Sequence, residues 1–178
     1  MAVSLTSNGS VATNSRLRSF FIDSLKDIYY AEKHLVDALE DLRDDATTND
    51  LKEAFNSHRS VTQGHVIRLE QVFASIGEEA DTKKCEAIKG IISEADSIIS
   101  DTESDTLTRD AALILAAQKA EHYEIATYGT LVQYARLLGE MEAASLLQQT
   151  LEEEKEADRT LTGIAESFIN EQALQEVL

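Results

Sequence analysis

A chain of 178 residues, 43% hydrophobic and 28% charged, is large enough for one domain with a true core. Its 33 acidic residues against 16 Lys and Arg leave a formal charge of -17, which repels nucleic acid and anionic membranes, since both require a basic face. No apolar run approaches the roughly 18 residues of a membrane span, and the single cysteine, Cys85, precludes an intrachain disulfide. With no proline and seven glycines, the composition favours long helices over strands.

Residues 1–15 are rich in Ser, Thr and Asn and lack a charged-then-apolar leader pattern. They are expected to form a flexible tail, and the cytoplasm is the expected compartment. A first helix is predicted over 16–45, with Thr13, Asn14 or Ser15 as its N-cap. Its apolar stripe is Phe21, Leu25, Ile28, Leu35, Leu39 and Leu42, interrupted by Glu32. A break at 46–49 ends it. Thr48 or Asn49 can cap a second helix over 50–76, whose stripe runs Leu51, Phe55, His58, Thr62, His65, Leu69, Val72 and Ile76. Gly77 fits its stop. The short connection makes these two helices antiparallel neighbours.

After a polar loop at 78–82, a shorter helix is expected over 83–100, with Cys85, Ile88, Ile92, Ala95 and Ile99 on one face. A polar break at 101–105 precedes a third long helix, 106–138, with the stripe Ile114, Ala117, Glu121, Glu124, Tyr128, Leu131, Ala135 and Leu138. Gly139 ends it. The fourth, 141–170, carries Ala144, Leu147, Leu151, Glu154, Asp158, Leu161, Ala165 and Phe168, and 171–178 reads as a weakly specified tail. Two long hairpins, 16–76 and 106–170, are thus joined by a crossover holding the short helix. The expected fold is all-α: a ferritin-like four-helix bundle over 16–170, with its second and third long helices running the same way.

All four stripes advance in steps of three or four residues, the inward face of a bundle helix, and all four are broken near mid-length by ligand-type residues. One seam glutamate is most often a partly exposed residue, and one seam histidine a hydrogen-bonded core group. Four helices making the same costly choice at one height point to a shared polar site, because a buried carboxylate needs a partner or a metal. Glu121 and Glu124 lie about 4.5 Å apart along the helix, and Glu154 and Asp158 about 6 Å, a reach suited to two bridged ions. His58 and His65, about 10 Å apart on the same measure, are not expected to enter one compact cluster. The candidate ligands are Glu32, His58, His65, Glu121, Glu124, Glu154 and Asp158. Such donors suit iron or manganese, or zinc by affinity alone, at one or two ions per chain. His122 and Glu153 fall off the stripe as outer or surface groups, and His34 reads as surface. Tyr29, Tyr30, Tyr123, Tyr128 and Tyr134 read as packing residues, with a redox-active or hydrogen-bonding phenol among them as the alternative. Cys85 reads as a small buried hydrophobe.

Several stretches carry a family likeness: Leu25 to Lys33, His65 to Phe73, Arg109 to Leu113, Glu121-His122-Tyr123-Glu124-Ile125-Ala126 continuing to Leu131, and Thr150 to Asp158. On these the chain resembles the YciE/YciF family of ferritin-like bacterial proteins. The resemblance implies a bundle that is commonly dimeric, a link to stress responses, and a two-metal centre with no assigned reaction. Family members often read His-x-x-Glu-Thr on the second helix. This chain reads His58-Arg59-Ser60-Val61-Thr62, so Val61 removes a bridging carboxylate. Two functions follow as expectations. One is a metal-binding homodimer that meets a small oxidant, peroxide or dioxygen. The other is a structural or adaptor dimer whose polar core is held by hydrogen bonds.

Overall fold

The computed structural model describes residues 15–177; of the expected tail at 1–15, residues 1–14 lie outside them, and Ser15 caps the first helix. Helix α1 spans Arg16–Asp45, α2 Asn49–Ser75, α3 Glu86–Asp101, α4 Leu107–Leu138 and α5 Met141–Ile164. A π-helical turn, Ala165–Ile169, and a last turn α6, Asn170–Ala173, complete the chain.

Local chemistry sets the ends. Ser15 Oγ accepts from the Arg18 amide at 3.0 Å, Thr48 Oγ1 from Leu51 at 3.4 Å and Thr106 Oγ1 from Arg109 at 3.1 Å, each satisfying a free N–H of a first turn. Gly77 (φ 73°) and Gly139 (φ 79°) adopt the left-handed conformation after α2 and α4. In both places the next amide reaches back five residues, Glu78 to Phe73 O at 3.0 Å and Glu140 to Ala135 O at 2.9 Å, closing the helix in a Schellman turn. The short helix begins later than predicted, at Glu86. Cys85 stands just before it as the cap, its Sγ accepting from the Ile88 amide at 3.4 Å.

The four long helices form an all-α bundle of two hairpins, α1–α2 and α4–α5, in which α1 also packs on α4 and α2 on α5. Paired contacts fix the directions. Glu40 meets Arg59 while Tyr29 meets Glu70, and Arg68 meets Glu153 while Phe55 packs with Leu161 in one apolar cluster. Neighbouring helices are therefore antiparallel and diagonal ones parallel, so α2 and α4 share a direction, as the long crossover requires. Helix α3 lies against α4 and α1.

Two buried polar residues pin the hairpins together at one end. Asp110 of α4 accepts from the Thr47 and Thr48 amides at 2.6 and 2.9 Å. Arg109 is anchored to Asp45 at 3.0 Å and to the Ile99 carbonyl at 2.7 Å, joining the ends of α1, α3 and α4.

The end of the chain departs from expectation twice. Ile169, not Phe168, is the buried residue of the last turn, because the π turn takes one residue more than an α turn and moves the inward position on by one. The expected tail at 171–178, of which residue 178 lies outside the described residues, is tied down as well. Glu176 accepts from the Leu107 and Thr108 amides at 2.7 and 2.9 Å and from Thr108 Oγ1 at 2.7 Å, satisfying free donors at the positive end of α4.

The core is not continuous. One apolar cluster holds Phe21, Leu25, Ile28, Leu69, Phe73, Leu131 and Leu147. A second, toward the other end, holds Leu39, Leu42, Leu51, Phe55, Leu113 and Leu161. The polar interruptions of the four stripes fall between them.

Candidate metal centre

Helix period alone carries Glu32, His65, Glu121, Glu124 and Glu154 to the bundle axis, where each is at most 1% exposed. His58 is nearly as enclosed, with 12% of its side chain exposed. Glu154 of α5 lies between the two histidines of α2. His65 Nδ1 is 2.9 Å from Glu154 Oε1 and 3.5 Å from Glu32 Oε1. His58 Nε2 is 3.0 Å from Glu121 Oε1 and 3.8 Å from Glu154 Oε2. Two three-residue groups result, Glu32–His65–Glu154 and His58–Glu121–Glu154, each able to point one ligand atom at a common centre.

The histidines enter separate groups, as their spacing along α2 predicts, and the two groups share Glu154. They share it because the histidines present opposite ring nitrogens and because the antiparallel α5 places Glu154 level with Thr62, midway between them. Thr62 turns its hydroxyl to the His58 carbonyl at 3.0 Å. Val61 lines a cleft between α2 and α5.

Asp158 does not join either group. It is half-buried, with Oδ1 accepting from Gln118 Nε2 at 3.0 Å and 3.3 Å from His122 Nε2. Four residues beyond Glu154 overshoot a turn by about 40°, and Gln118 of α4 holds the carboxylate on that side. His122 is exposed and His34 stacks on Tyr30 at the surface, as expected.

A surrounding set of residues orients these groups. Tyr128, fully buried, donates a short hydrogen bond to Glu32 Oε1. Glu153 Oε2 lies 2.9 Å from His65 Nε2 and is itself held by Arg68, at 2.8 and 3.1 Å, and by Gln149 at 2.9 Å. Arg68 also donates to Thr150 Oγ1 at 2.7 Å. This places the proton of a neutral His65 on Nε2 and turns the Nδ1 lone pair toward Glu154 and Glu32. Glu153 read as an off-stripe residue in sequence. The signal that locates its role is Arg68, one turn beyond His65 and facing the same antiparallel helix.

Electrostatics follow from crowding. Burial, and then Glu154, Glu32 and Glu121, push Glu124 well above the carboxylate range. Burial raises Glu154 to about 7 against the opposing pull of His65. Burial alone would lower His65, but Glu154 and Glu32 outweigh it and raise the imidazole to about 10. Burial also works against His58, which Glu121 and Glu154 nevertheless raise. These are the marks of anionic groups gathered without enough positive charge between them.

Residues 16–174 match a family described as a domain of unknown function, DUF892. Protein YciF of Escherichia coli strain K12 is 45% identical over 161 residues, covering 88% of this chain and 95% of that protein. The crystal structure of YciF, described as a stress protein, superposes with a TM-score of 0.83 over 86% of this chain and 97% of the other. YcfI of Rhodopseudomonas palustris, provisionally called structural, is 37% identical, with a TM-score of 0.80 over 85% of this chain and 96% of its own.

Proposed function

This chain belongs to the DUF892 family, and from the chemistry of its core we propose that it is a ferritin-like metal-binding protein holding one or two iron or manganese ions between its four long helices. One observation carries the reading. Six buried atoms, Glu32 Oε2, His65 Nδ1, Glu121 Oε2, Glu124 Oε1 and both Glu154 oxygens, have no hydrogen-bond partner. An unsatisfied buried polar group costs about 1–3 kcal/mol, more when charged, and cations bound among these residues would offset that cost. His65 Nδ1 and Glu154 Oε1 are close but poorly aligned for a hydrogen bond, an arrangement better suited to two ligands aimed at a third atom.

Four carboxylates and two imidazoles form a hard, mixed O/N donor set that fits iron or manganese, and zinc by affinity alone. Glu32 and His65 would serve one ion and His58 and Glu121 the other, with Glu154 common to both. Glu124 would contribute the remaining charge. A bound redox ion would supply one-electron exchange with a small oxidant such as peroxide or dioxygen. The residues' own tasks are visible without it. Tyr128 fixes Glu32, Glu153 fixes the tautomer of His65, and the two apolar clusters exclude bulk water above and below. A role in a stress or oxidant response is the setting in which such a centre would act.

The test is metal content by plasma mass spectrometry, on protein purified without added metal and again after loading with ferrous or manganous ion, beside Glu154→Ala. The expected result is one or two ions per chain, lost in the variant while the helical circular dichroism is kept. No binding after loading would overturn the proposal and leave the polar layer as a structural element of an adaptor.

A further inference from the structure

We infer that a small cavity beneath α3, on the α1–α4 side of the bundle, is a docking site for dioxygen. The inference rests on the metal reading above and adds to it the oxidant and the side from which it arrives. The cavity measures about 20 Å³, a little above the roughly 10–15 Å³ that one water-sized sphere needs on the same measure. A diatomic gas fits this space. An organic substrate, whose pockets run from about 300 Å³ upward, does not. The walls are Leu35 and Ala38 of α1, Ile92 and Ala95 of α3, and Ala116 and Ala120 of α4. Four of these six are alanines, too short to close the gap between the three helices. The inner end differs in kind. Glu121 and Glu124 line it together with His58, and Glu121 Oε2 and Glu124 Oε1 are two of the buried atoms that lack a hydrogen-bond partner. Toward the outside, Ala38 and Ile92 are half-buried, whereas Leu35, Ala95, Ala116 and Ala120 are buried. The cavity thus leads from below the surface of α3 to the proposed ligands.

The walls select the occupant. None of the six wall side chains can donate or accept a hydrogen bond. With Glu121 and Glu124 turned to a cation, a molecule entering along them has no polar partner. Water needs two to four such partners, and peroxide would give up its hydrogen bonds to water without replacement. Ions are excluded more strongly still. Dioxygen has no hydrogen bonds to lose and passes from water into apolar surroundings favourably. Helix α3 is the part of the wall best able to yield. Of its sixteen residues only Ile88 and Ala95 are buried, and an element with so little buried contact opens at low cost.

The test reads the gas itself. Dioxygen is paramagnetic, so methyl protons near it relax faster. Methyl-labelled protein is studied under argon and under dioxygen pressure, metal-free and after loading with zinc, a diamagnetic ion without redox chemistry. The expected result is faster relaxation at the methyls of Ala116, Ala120 and Ile92 than at Ala135 and Ala143, which are fully buried in the other apolar cluster. A soluble gadolinium chelate, too large for the cavity, corrects for surface exposure. Ala116→Leu should remove the excess at Ala120 and Ile92. Ala38→Leu fills the cavity from a half-buried position on a different helix, should the first variant fold poorly. No excess in either sample, or its persistence in both folded variants, would overturn the proposal. So would an excess in metal-free protein that zinc abolishes, since the gas would then be shut out of the loaded centre. Zinc content is measured on the same samples. Failed uptake would sink the metal reading alone, and the relaxation of metal-free protein would still decide the gas site.

Discussion

The apolar ends of the bundle and its polar middle use the same four helices in opposite ways. In the clusters around Phe21 and Phe55 every inward side chain finds apolar neighbours, and burial stabilises the fold directly, at about 25 cal/mol per Å². In the layer between them, five carboxylate and imidazole side chains are equally buried yet leave six atoms without a partner. The first arrangement is what folding needs. The second opposes folding unless something binds there, so stability and function are separated by height along one bundle.

Substitutions that act on one region and not the other sharpen this contrast. The largest effect is expected at the apolar end. Phe21→Ala, at a fully buried site, should cost about 3–5 kcal/mol in urea denaturation of metal-free protein, with metal stoichiometry unchanged in the folded fraction. Next comes pH. Glu154 and His65 both bind protons more tightly when folded, at about 7 and about 10 against ordinary values of 4.5 and 6.5. Their protonation therefore favours the native state at low pH, and that contribution drains away from about pH 5 upward, the histidine's last, as pH approaches 10. Metal-free protein should lose on the order of 3 kcal/mol between about pH 5 and pH 9, seen as a falling melting temperature. Protein loaded with metal should not follow that slope, because ligation replaces the protons.

The third outcome has the opposite sign to the first. Glu124→Leu replaces an unpaired buried acid with an apolar group of similar size, and metal-free protein should gain about 1–4 kcal/mol while metal affinity falls. Destabilisation in this variant would show that Glu124 is already satisfied and would erase the contrast. The smallest effect is predicted for Glu153→Gln, which keeps the shape beside His65 but weakens the charge that orients it. Metal affinity should drop about 10- to 100-fold, measured by competition with a chelator, with little change in the stability of the metal-free fold.

The fold was largely legible in the sequence because its signals are local. Stripes of period 3.6, the absence of proline, Thr48 and Ser15 as caps and two glycines after α2 and α4 all act within a few residues of where they stand. The polar layer was legible for the same reason, since four interrupted stripes locate it without knowledge of packing. What the sequence hid depends on contacts between helices. The sharing of Glu154 by the His58 and His65 groups is set by the level at which α5 crosses α2, and the diversion of Asp158 by Gln118 on another helix. Arg109, Asp110 and Glu176 show their roles only when the chain ends they bind are brought beside them.

The π turn at Ala165–Ile169 has a consequence for how this chain can change its length. It holds one residue more than a regular turn would, so a one-residue deletion there can relax into plain α-helix, with Phe168 or Ile169 filling the same apolar end. The same deletion between Met141 and Glu154 has no such slack. It would turn everything before it by about 100° relative to the acid, forcing either the contacts of Leu147 and Leu151 or Glu154 itself out of place. Length variation in the last helix is thus confined to its far end, beyond the reach of the residues that gather at the axis.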